Sequence, residues 1–86
     1  MNNGDQYDIQ EDFCYAHIVN RHGKGMTAGA MVPLVLSKLH SSNLVTKRTP
    51  NAAALHVSFI RRLLAGKCSK YPAKYTDTVI AQLKNV

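Results

Sequence analysis

The sequence predicts an all-α domain, a small bundle of four to five short helices. Three observations lead there. Apolar residues recur at helical spacing in several separate stretches, and strand-like alternation is scarce. Thr-Pro, Ser-Asn and Gly punctuation falls at the ends of those stretches. The chain has 86 residues, 45% of them apolar, which suits one domain with one core. Trp is absent and Phe is scarce, so Leu, Val, Ile, Ala and Met must fill that core.

Residues 1–8 read as a flexible acidic arm, and residues 9–86 as the domain. Ile9, Phe13 and Ala16 suit one helix face, and Cys14 and Ile18 extend it. The same stretch is rich in aromatic and β-branched residues, so a strand remains the alternative over 9–20. The glycines of RHGKG (21–25) mark a loop. Thr27 is placed to cap a second helix, with Met31, Leu34, Val35 and Leu39 as its apolar stripe. Pro33 fits a first turn or a kink, and Ser41-Ser42-Asn43 end the segment.

A connector over 44–48 leads to Thr49-Pro50, an N-cap followed by proline at the first helical position. Ala52, Ala53, Ala54 and Leu55 continue that helix. His56-Val57 then read as a turn, and Ser58 as the cap of a further helix, 58–65, stopped by Gly66. Pro72 would open the closing helix, which sets Tyr75, Val79, Ile80 and Leu83 on one face.

Charge is divided along the chain. Asp5, Asp8, Glu11 and Asp12 fall in the first twelve residues, which hold no base. From Phe13 onward eleven Lys and Arg stand against Asp77 alone. Such an excess of one sign repels itself unless a polyanion offsets it. Nucleic acid is the leading candidate, because Lys and Arg on phosphates displace counterions.

Placed on a helix-turn-helix frame, the stretch TPNAAALHVSFIRRLLAGK assigns a role to most of its residues. The alanines permit close helix packing, Leu55 and Val57 anchor the turn, and Ser58 caps the reading helix. Ile60, Leu63 and Leu64 form its inner face. Ser58, Phe59, Arg61 and Arg62 would face the major groove, where Arg reaches guanine bidentately. Lys47, Arg48, Lys67 and Lys70 would hold phosphates.

On these residues the chain resembles the lambda-repressor/Cro-like class of phage and plasmid regulators. The order runs small residue, Leu55, Val57-Ser58, Ile60, Leu63-Leu64, Gly66-Lys67, then a Pro-led closing helix, and it covers roughly residues 30–86. The chain departs from the class at His56, where Gly is common, and only five residues separate Val57 from Leu63. The resemblance implies a sequence-specific transcriptional regulator, a repressor of double-stranded DNA. A reader this small commonly works as a homodimer. The closing helix (72–84) is the expected dimer surface, with Tyr75, Val79 and Leu83 divided between core and interface. The alternative is a small basic helical adaptor that binds a protein partner.

Other chemistry finds little footing. Cys14, His17 and His22 offer three zinc ligands, with Cys68 or His40 as a fourth, but lack the usual paired spacing. No metal, cofactor or small-molecule substrate is expected. Nucleophilic catalysis needs an orienting acid, and the basic part holds only Asp77. No enzyme activity is therefore expected. With no apolar run near ~20 residues and no secretory signal, the expected location is cytoplasmic, without a membrane partner.

Overall fold

The computed structural model describes residues 8–22, 25–44 and 49–86. Four helices follow in order: α1 (Ile9–His22), α2 (Ala28–Ser41), α3 (Pro50–Leu64) and α4 (Asp77–Lys84). The described residues contain no strand, so the segment left open between helix and strand resolves as α1. The expected arm lies outside the described residues, apart from Asp8.

Each helix start has a visible cause. At α1, Gln10 N–H donates to Asp8 Oδ1 at 3.2 Å, and Asp8 N–H donates to Glu11 Oε1 at 3.2 Å. That is a reciprocal capping box. Thr27, Thr49 and Thr76 cap α2, α3 and α4 through hydroxyls that accept from Ala30, Ala52 and Val79. Pro50 takes the first turn of α3, where a missing amide costs nothing. Pro33 sits inside α2, with its ring and Gly29 both exposed, so water can reach the unmatched Gly29 carbonyl.

The ends of α2 and α3 share one device. Gly66 has φ +73°, Lys67 N–H donates to Arg62 C=O, and Gly66 N–H donates to Leu63 C=O. Asn43 does the same for α2 with φ 61°, while Leu44 N–H reaches Leu39 C=O. Both are Schellman closures, which need a left-handed residue just beyond the helix.

The structure corrects the expected turn. His56, Val57 and Ser58 lie within the unbroken α3. Ser58 caps nothing, Leu55 is 66% exposed rather than anchored, and His56 is buried. The physical reason is the burial pattern. Ala53, Val57, Ile60 and Leu63 follow one continuous helical stripe, and a turn at 56–58 would break it. The connection between α2 and α3 spans 42–49, longer than the three to four residues typical of a helix-turn-helix. Pro72 also stands outside a helix, because α4 starts only after Thr76.

The core takes Tyr15 and Ala16 from α1, Met31, Val35 and Leu39 from α2, the α3 stripe, and Leu83 from α4. The Cα radius of gyration, 12.0 Å, equals the ~12 Å expected for one packed domain of this length. Of the three residues expected to divide between core and dimer surface, Tyr75 and Leu83 are 3% and 0% exposed and belong to this core, and Val79 is half-buried.

One polar group is built into the core. Asp12, one of the four acids among the first twelve residues, is 0% exposed. Its Oδ1 lies 2.7 Å from His56 Nε2, and its Oδ2 accepts from the Tyr75 hydroxyl at 2.8 Å. Lys74 Nζ stands 3.8 Å from Oδ2.

Candidate nucleic-acid interface

The C-terminal turns of α1 and α3 lie side by side, and each ends in bases. Arg21 and His22 close α1, and Arg61 and Arg62 close α3. Basic residues suit helix C-termini, where the backbone dipole is negative. The Gly66 closure then reverses the chain and brings Lys67 to the same place.

Together they line an open groove of about 1060 Å³. Its polar walls are Asn20, Arg21, His22, Ser58, Arg61, Arg62 and Lys67, and Val19, Met26 and Leu64 supply apolar surface. Arg21, Arg61, Arg62 and Lys67 carry four permanent positive charges, and no carboxylate is among the described lining residues. Each helix terminus contributes only about half a negative charge. The side chains therefore set the sign of the described lining, which is positive.

Arg21 is held in place by its own helix. Its Nε donates to His17 Nε2 at 2.9 Å, so His17 accepts on an unprotonated nitrogen. Burial, then the charges of Arg21, Lys38 and His22, hold the His17 pKa below its ordinary value of 6.5.

Of the residues expected to bind DNA, Ser58, Arg61, Arg62 and Lys67 meet in this groove. Phe59 does not. Its ring packs inward, 5.6 Å from His56 and 5.4 Å from Tyr75 between centroids. Lys70 is exposed but lies outside the groove lining. Lys47 and Arg48 lie outside the described residues. The RHGKG stretch reads in sequence as a basic loop able to meet phosphate or as a solvated turn; Arg21 and His22 instead close α1, and their pairing with the α3 arginines was not foreseen. The available signal was their shared place in the last turn of a helix, but the pairing of α1 with α3 is a tertiary fact.

Asp12, His56 and Tyr75 have the composition of an acid–base set, yet none of them lines the groove. They are buried and bonded to one another. Cys14 is also buried, and its thiol donates to the Ser42 hydroxyl at 3.8 Å. Among the described residues, no three His, Cys, Asp or Glu side chains gather as a metal site would need. No described helix is long and apolar enough to cross a membrane.

Comparison with known proteins returns no match among family models, curated proteins or solved structures.

Proposed function

We propose that this protein is a DNA-binding regulator that engages the duplex with α3 and the groove beside it. One observation carries the reading: four permanent cations from two helix ends share one groove with no described carboxylate in its lining. Arg guanidinium groups match phosphate oxygens bidentately, and Ser58 offers a hydroxyl for the same backbone. This changes the expected architecture. The reading helix is the whole of α3, not a segment beginning at Ser58. The proposed action remains sequence-specific repression, without catalysis. A second copy is part of the proposal, since one small reader covers few base pairs.

The test is fluorescence anisotropy of a labelled generic duplex titrated with the protein at rising salt. Three phosphate contacts, from Arg21, Arg61 and Lys67, predict a log–log slope of about −2 to −3. Combined Arg21→Ala and Arg61→Ala should reduce that slope by about 2 units. No measurable binding at low salt sinks the reading. An acidic peptide that binds where duplex does not would favour an adaptor for a protein partner instead. Sedimentation with and without duplex reads the number of copies.

A further inference from the structure

The best-formed amphipathic helix of the fold carries a large apolar side chain on the wrong side. Leu55 is 66% exposed. At about 100° per residue, Asn51, Leu55, Ser58 and Arg62 fall within an arc of about 60° on α3. The core residues Ala53, Val57, Ile60 and Leu63 lie on the opposite side. Asn51 and Arg62 are exposed, and Ser58 is half-buried at the groove. The row therefore lies on the side of α3 away from the core, exposed at Asn51, Leu55 and Arg62.

We infer that this row reads bases in the major groove of duplex DNA. The inference rests on the DNA-binding proposal and names the residues that supply its specificity. The chemistry of each side chain fits a base edge. Asn pairs bidentately with adenine N6 and N7, Arg with guanine O6 and N7, and an apolar side chain packs on the thymine methyl. Ser58 reaches either a base edge or a phosphate. An exposed leucine is no use for phosphate binding and costs solubility, whereas a thymine methyl gives it a partner.

Charge complementarity fixes the occupant. Two residues of the row, Ser58 and Arg62, line the basic groove with Arg21, Arg61 and Lys67, so a polyanion that follows the row meets cations at its C-terminal end. From Asn51 to Arg62 the helix rises about 16 Å. At about 3.4 Å per base pair that spans roughly five pairs.

The test is selection of bound duplexes from a random pool, run with the wild type and with Asn51→Ala, Leu55→Ala and Arg62→Lys. Arg62→Lys keeps the charge and removes the bidentate fork. The side chains are exposed, so melting temperatures should stay close to wild type. The wild type should select a motif of roughly five positions per copy. Each variant should lose preference at one position, roughly tenfold, while the exposed α4 control Gln82→Ala selects the wild-type motif. If all three variants select the unchanged motif, the row is not the reader, although DNA binding stands. If the wild type binds duplex with no preference, the row reads nothing: the inference and the sequence-specific part of the proposal fail, while duplex binding stands. If it binds no duplex, the functional proposal and the inference fall together.

Discussion

Asp12 Oδ1 and His56 Nε2 lie 2.7 Å apart inside the core, joining α1 to α3 across 44 residues of sequence. Tyr75 donates to the other carboxylate oxygen, so the segment before α4 is fastened to the same atom pair. Removing one partner of such a buried pair strands the other without water. Asp12→Ala and His56→Ala are each expected to cost about 3–5 kcal/mol. Tyr75→Phe keeps the ring packing and deletes one bond to the carboxylate, at about 1.5–3 kcal/mol. Urea unfolding measures all three. In a double-variant cycle, Asp12→Ala with His56→Ala should cost clearly less than the sum of the singles. Simple additivity would mean the pair contributes little.

Substitutions at two hydroxyls separate the continuous α3 from the two-helix expectation. Thr49→Ala removes the side chain that accepts from Ala52 N–H at 3.1 Å, and should cost about 1 kcal/mol. Ser58→Ala should be neutral or slightly stabilising, because Ala is the better mid-helix residue. A loss near 1 kcal/mol at Ser58 would instead indicate a cap and a turn at that position.

Stability should carry a signature of His17 near neutral pH. Its folded pKa is held below 6.5, first by burial and then by Arg21, Lys38 and His22. As pH falls, the unfolded chain therefore takes up this proton first. The contribution of His17 is whole above about pH 6.5 and drains away as pH falls through the lowered folded value. His17→Gln keeps an acceptor for Arg21 and cannot titrate. The unfolding free energy of wild type minus that of His17→Gln, followed from about pH 7.5 to about pH 5, should fall at the acid end, in favour of the variant. A flat difference would remove His17 from the pH dependence.

Local chemistry made much of the fold legible. Thr27, Thr49 with Pro50, and Gly66 are short-range signals, and each bounds a helix where it was expected to. The turn at 56–58 was misjudged because His56 and Ser58 resemble turn residues in isolation. The periodicity Ala53, Val57, Ile60, Leu63 was already in the sequence, and burial of that stripe outweighed the local preference. Asp12 was misplaced for a different reason. An acid beside other acids looks solvated, and its partners His56 and Tyr75 are 44 and 63 residues away. The basic groove was half visible: the α3 arginines stood out, but their α1 counterparts needed the packing of one helix on another.

Asn20 of α1 binds residues in and beyond the last turn of α4, donating from Nδ2 to the backbone oxygens of Leu83 at 2.9 Å and Val86 at 3.0 Å. α4 has only eight residues, too few for a helix to persist alone in water. Its contacts with α1 also close a loop of more than sixty residues, which costs chain entropy before it returns any binding. α4 should therefore dock last in folding and open first under native conditions. Its amides should exchange with deuterium sooner than those of α3, and Asn20→Ala should widen that gap. Equal protection across α3 and α4 would show that the four helices come apart as one unit. On this ordering, α1, α2 and α3 form the framework, and Asn20 is the latch that decides how long the fourth helix stays shut against it.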